Sequence, residues 1–156
     1  MFRMATIISV ALVFLGCSQQ SKTTTNQNIA LNDKSQIKVA AYGYLIEKEF
    51  NRSTNTLFVS ADKDELGVIS AKFPNHRIKP ATQAEITTDN RIHRVQDKIS
   101  KEEGVVLEVK QIEIKGQKAE AFAGYFSGAG ITFNFAFKRD NGWHIETVSP
   151  PMISDP

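Results

Sequence analysis

The stretch VVLEVKQIEIKGQKAEAFAGYFSGAGITFNFAFKRDNGWHIETV, Val105 to Val148, decides the fold of this chain. It reads as a continuous antiparallel ribbon of three or four strands joined by glycine-containing turns. Ile131, Phe133, Phe135 and Phe137 alternate with Thr132, Asn134, Ala136 and Lys138, the two-residue period of a half-buried strand. Asp140-Asn141-Gly142 has the composition of a tight hairpin turn. Beyond it Trp143, Ile145 and Thr147 continue the inward face, until Pro150-Pro151 ends the run. Upstream, Ala119, Ala121, Ala123 and Tyr125 share one face, with Glu120, Phe122, Gly124 and Phe126 on the other. Lys115-Gly116 turns the chain before this strand, and Gly128-Ala129-Gly130 marks a turn or a bulge after it. Leu107 and Val109 are in phase with each other, as are Ile112 and Ile114, but the phase slips between the pairs. An extra residue near Lys110-Gln111 accounts for the slip, so a β-bulge is expected there.

Ahead of the ribbon, Gln36 to Phe50 has helical spacing, with Asp33 or Ser35 placed to cap it. One stripe is Val39, Tyr42, Ile46 and Phe50; a second is Ile37, Ala41, Tyr44 and Leu45, and together they make a wide apolar face. Ala40, Ala41 and Gly43 are small enough for a sheet to approach the helix closely. Thr56 to Ser60 reads as a short strand. A short helix begins at Asp62 or Asp64 and ends near Phe73-Pro74. Arg77 to Thr87 reads as irregular or edge structure, because Pro80 has no N–H for a ladder. Thr88-Asp89-Asn90 is a turn, and Arg91 to Lys98 a polar strand. A helix followed by antiparallel strands, without βαβ alternation, is an α+β arrangement. The expectation is an N-terminal helix packed on a four- or five-stranded antiparallel sheet, in one domain over residues 31–156; such a layout resembles cystatin-like and nuclear-transport-factor-like topologies.

The 156 residues are 41% hydrophobic and 23% charged, with a formal net charge of +2. That charge is small and interspersed, which argues against a nucleic-acid partner. The single cysteine, Cys17, allows no intramolecular disulfide, so the domain is expected to cohere by packing alone.

The first residues read as an address. Arg3 precedes an apolar run from Ala5 to Leu15, far shorter than the roughly 20 residues of a membrane span. The run closes on Phe14-Leu15-Gly16-Cys17, which resembles the lipobox of bacterial lipoproteins, with Phe14 where leucine is commonest. The resemblance implies a signal peptide over 1–16 and a lipid, acyl chains included, on Cys17 as the mature N-terminus. Acyl chains at about 0.8 kcal/mol per buried methylene would hold such a protein on a membrane. Ser18, rather than Asp, follows the cysteine, which by the same resemblance points to the outer membrane in a Gram-negative cell. The segment to residue 30 is Ser, Gln, Thr, Asn and Lys without apolar period, and reads as a flexible tether.

The layout Gly104-Val105-Val106-Leu107-Glu108-Val109, Gly124-Tyr125-Phe126-Ser127-Gly128-Ala129-Gly130 and Lys138-Arg139-Asp140-Asn141-Gly142-Trp143, closing on Ile153-Ser154, resembles a recurrent type of small bacterial secreted or lipoprotein domain of unknown function. Met152 stands where such domains often carry tryptophan. No activity comes with that resemblance.

The sequence carries no phosphate loop, nucleophile elbow, Cys-His pair or H-E-x-x-H motif, and nothing implies a cofactor. His144 and Glu146, two apart on one strand, could ligate a metal or act as an acid–base pair, with His93 or Asp97 as a third group. Against this, a polar outer face is the ordinary state of an antiparallel strand. Thr132 and Asn134 lie on the same kind of face beside Phe122 and Phe126, a mixture that fits a contact surface for a partner unless a second layer such as Glu65–Phe73 covers it. Two readings follow. In the first, the chain is a lipid-anchored cell-envelope protein with a non-catalytic binding domain, attached to the membrane through Cys17 and meeting an envelope protein partner. In the second, it is a small ligand-binding protein or enzyme with a pocket between helix and sheet, lined by Tyr42, Tyr44, Phe133 and Trp143.

Overall fold

A computed structural model describes residues 31–89 and 92–154; Cys17, the segment before it and the tether to residue 30 lie outside the described residues. The chain enters helix α1 (Asp33–Glu49), continues through β1 (Thr56–Val59), helix α2 (Lys63–Lys72) and β2 (Ile78–Pro80), and makes a 3-10 turn at Ala81–Gln83. A hairpin of β3 (Ala84–Asp89) and β4 (Ile92–Asp97) follows, then β5 (Gly104–Lys115), β6 (Lys118–Phe126), β7 (Gly130–Arg139), β8 (Trp143–Val148) and β9 (Met152–Ser154).

The α+β class is as the patterning indicates, and the ribbon is the antiparallel meander β5-β6-β7-β8. The sheet, however, has seven strands rather than four or five, in the order β2-β1-β5-β6-β7-β8, with β9 also paired to β7. The additions are of two kinds. Beyond β8 the chain returns to pair Ile153 with Ile131, where β8 no longer covers β7. On the other side, β1 runs parallel to both β5 and β2. The segment β1-α2-β2 is therefore a βαβ unit, which corrects the reading of a chain without one. Parallel neighbours need a crossover of about a dozen residues, and α2 supplies it. All four residues of β1 are buried, so the strand shows no alternation from which its direction could be read. Pro80 closes β2, which lies at the end of the sheet, where a missing donor costs little.

The meander has two bulges, one expected from the phase slip and one not. Val109 pairs with Ala123 and Gln111 with Phe122, leaving Lys110 as the extra residue. In β8, Phe137 pairs with Ile145 but Ala136 with Thr147, so Glu146 is extra. That second bulge moves Thr147 out to solvent and brings Val148 onto the core, correcting the inward run Trp143, Ile145, Thr147.

The two apolar stripes of α1 face two clusters. Ile37, Ala41 and Leu45 pack on Ala119, Ala121, Ala123, Phe133, Phe135 and Phe137 of the meander, with Tyr44 edge-on to Phe135. Tyr42, Ile46 and Phe50 pack on Leu57, Val59, Val105, Leu107 and Ile69 at the parallel end. Both helices thus lie on one face of the sheet. The cap of α1 is Asn32, which accepts from the Ser35 N–H at 2.9 Å, rather than Asp33 or Ser35. Asn32 is the residue whose backbone is still extended, and a cap has to sit there to fold its side chain over the first turn. Gly43 faces Lys72 and Phe73 at the end of α2, not a sheet.

Candidate functional site

The face of the sheet away from the helices carries rows of register partners. One row is Glu108, Gly124, Thr132 and Met152; the next is Val106, Phe126, Gly130 and Ser154. Two glycines in adjacent rows leave the middle without side chains, and the result is a groove of about 140 Å³ lined by Val106, Glu108, Lys110, Gly124, Phe126, Thr132 and Ser154 among others. The bare floor is enforced by close approach. A Cβ on Gly124 would overlap the carbonyl oxygen of Ile131, and one on Gly130 would stand 2.6 Å from Ser154 Oγ. The bulge at Lys110 turns its ammonium toward Glu108, 3.7 Å from the carboxylate, so the rim holds an exposed ion pair. Opposite it are the Thr132 and Ser154 side chains, and Phe126 gives an apolar edge; half-exposed Met152 is the register partner of Thr132.

Of the residues singled out from the sequence, Thr132 lines this groove. Asn134 lies one row away and has a different task. Its N–H donates to Ser149 Oγ and its carbonyl accepts from the Ser149 N–H, both at 2.9 Å. These bonds hold the link between β8 and β9 against β7. The Asn134 Oδ1 is buried without a hydrogen-bond partner among the described residues.

His144 and Glu146 are both exposed. His144 is the register partner of Lys138, while Glu146 is the bulged residue. The groups considered as a third member are elsewhere. The His93 ring lies 6.4 Å from that of Phe126, at the other end of the outer face. Asp97 is bonded to Lys79 at 2.7 Å and caps its own turn. Among the described residues no three His, Cys, Asp or Glu side chains converge as a metal site would require. The layer over the outer aromatics is also not Glu65–Phe73, since Ile69 of that helix is buried in the cluster on the opposite face. It is the β3–β4 hairpin that reaches Phe126, and the His93 carbonyl comes within 2.7 Å of where a Gly128 Cβ would stand.

On the helix side, Tyr42 fills the space between α1 and the sheet. It is fully buried, donates to the Ser60 carbonyl at 2.6 Å and accepts from the Val109 N–H at 3.3 Å. Burial pushes its phenol well above the usual range, with the neighbouring carboxylates of Glu65 and Glu108 adding to the effect.

Glu108, Lys110 and the two floor glycines were not singled out from the sequence. The available signal was Gly124 and Gly130 at outward phases of neighbouring strands, but only the register puts them side by side. No family model, curated protein or solved structure matches the chain.

Proposed function

We propose that this protein is a bacterial envelope lipoprotein, anchored by lipid on Cys17, whose domain is a non-catalytic binding module for an envelope protein partner. The outer membrane is its place in a Gram-negative cell, and the groove around Gly124 and Thr132 is its contact surface. The observation that carries the binding role is the unequal use of the two sheet faces. The inner face is filled by Ile37, Tyr42, Leu45 and Ile46, all fully buried, where the alternative of a ligand pocket needs space. The outer face holds a preformed groove with mixed polar and apolar rims, a composition suited to recognition. The anchor rests on the motif Leu15-Gly16-Cys17 behind its apolar run. The cystatin-like or nuclear-transport-factor-like topology is likewise proposed for the helix and meander, supported by α1 lying across β5 to β8; the parallel pair β1 and β2 is an addition to that plan.

The test is a photo-crosslinking amino acid at Met152, beside Thr132, in cells with an intact envelope, with Lys48 on the far end of α1 as the comparison site. A discrete adduct from Met152, lost when Thr132→Arg fills the groove, is the expected result. No adduct from Met152, or the same adducts from Lys48, removes the groove from consideration.

A further inference from the structure

The floor of the groove is built on a diagonal. Gly124 pairs with Thr132 and Phe126 with Gly130, so in this square of four residues the glycines occupy one diagonal, Phe126 and Thr132 the other. A slot therefore crosses β6 and β7 between the Phe126 and Thr132 side chains. Val106 stands beyond Phe126 in its row, Glu108 beyond Gly124, and Ser154 beyond Gly130. The Phe126 wall is backed by the β3–β4 hairpin: its ring lies 6.4 Å from that of His93, which is itself bonded to Thr88 Oγ1 at 2.9 Å. The Ser154 hydroxyl donates a long bond, 3.4 Å, to the Gly130 carbonyl, which holds it beside the floor with its lone pairs open to a donor.

Size and chemistry together select an occupant. A space of about 140 Å³ matches one aromatic ring, since an apolar cavity of about 150 Å³ takes benzene; an indole is larger. Glycines within strands let another group come close to the backbone, and a flat ring makes the widest contact with a floor that has no side chains. Phe126 offers that ring an aromatic neighbour, a pairing favourable beyond its area. The ends of the slot are polar, with Glu108 and Lys110 at one and Ser154 at the other. A purely apolar ring would displace water from Ser154 and return nothing, whereas a phenol supplies both a donor and an acceptor. A sugar ring of similar size carries hydroxyls on every side, and Phe126 and Val106 would leave those on one wall unpaired.

We infer that this slot receives a single tyrosine side chain of the partner, its ring on Gly124 and Gly130 against Phe126 and its hydroxyl on Ser154. The inference rests on the groove being the contact surface proposed above. Tyrosine is among the residues that dominate protein interfaces, because it brings a large rigid ring at little cost in rotamer freedom.

The experiment adds N-acetyltyrosinamide to the full chain in detergent micelles and follows the backbone amides of Gly124 and Gly130 by NMR. Expected are saturable shifts at millimolar probe, several-fold weaker with N-acetylphenylalaninamide and absent with N-acetylleucinamide. Ser154→Ala should bring the tyrosine probe down to the level of the phenylalanine probe. Thr132→Arg should abolish both, with amide shifts elsewhere showing that each variant is folded. Equal binding of the tyrosine and phenylalanine probes to the parent chain, or an unchanged preference in Ser154→Ala, overturns the tyrosine assignment. So does a methyl hexopyranoside that moves the same two amides at lower concentration, which makes the slot a sugar site. No shift with any probe, where the Met152 adduct still forms, overturns the tyrosine anchor and leaves the contact surface standing. Loss of the Met152 adduct as well removes both.

Discussion

Asp97 shows how a single carboxylate is assigned by its surroundings. In the sequence it is one of several acids that could join a histidine. In the structure it is almost completely buried, with Lys79 on one oxygen and the N–H groups of Ile99 and Ser100, at 2.8 and 2.9 Å, on the other. The Lys79 hydrogen bond first, then the two backbone donors, hold its carboxyl well below the usual carboxylate range. A depressed native value means that the bonds contribute in full above the unfolded value, about pH 3.9, and fade as pH falls from there toward the native one. The expected result is a melting temperature that drops on acidification below about pH 4. Asp97→Asn should start lower at neutral pH and show a flatter acid limb, as followed by circular dichroism. Equal acid limbs in the two proteins would dissociate the acid loss from Asp97.

At the scale of elements, α1 is the piece whose reading held best. Its two stripes were visible as apolar spacing, and each found a separate partner: the aromatic meander for one, the βαβ end for the other. Tyr42 joins these ends. Its hydroxyl bonds the Ser60 carbonyl beyond β1 and the Val109 N–H at the foot of the β5 bulge. Tyr42→Phe keeps the ring but takes the hydroxyl from the partly buried Val109 N–H and from the Ser60 carbonyl, a cost of about 1 kcal/mol. Urea unfolding should show that loss at neutral pH, with a narrower difference between the proteins above about pH 10, where the unfolded tyrosine ionises while the folded one does not. A variant as stable as the parent would place the two bonds outside the stabilising set. The bulges divide differently. The one at Lys110 was legible because apolar residues flank it and change phase. The one at Glu146 was not, because Glu146 and Thr147 are both polar and neither reveals which face it occupies.

Taken whole, the proposed lipid site Cys17 lies outside the described residues, while the proposed contact groove is built on the outer face of the sheet. On this reading attachment and folding are independent. Cys17→Ser is expected to move the protein from the membrane fraction to the soluble fraction with its melting temperature unchanged. Retention of the variant in the membrane after high-salt washing would show that something other than lipid on Cys17 holds it.

The sequence by itself determined what local periodicity and turn chemistry can specify: the meander, its inward aromatics, the hairpin at Asp140-Asn141-Gly142, the face of α1 and the bulge at Lys110. These are contacts between near neighbours or patterns set by burial on one side. What the tertiary structure decided is which distant segments meet. The parallel placement of β1 beside β5, the return of β9 onto β7 and the β3–β4 hairpin beside Phe126 depend on pairings between segments whose own patterns are silent about direction and partner. The groove exists because Gly124 and Gly130 become neighbours across two strands. Along the chain each of them is ordinary, and only the hydrogen-bonded ladder adds their missing side chains together.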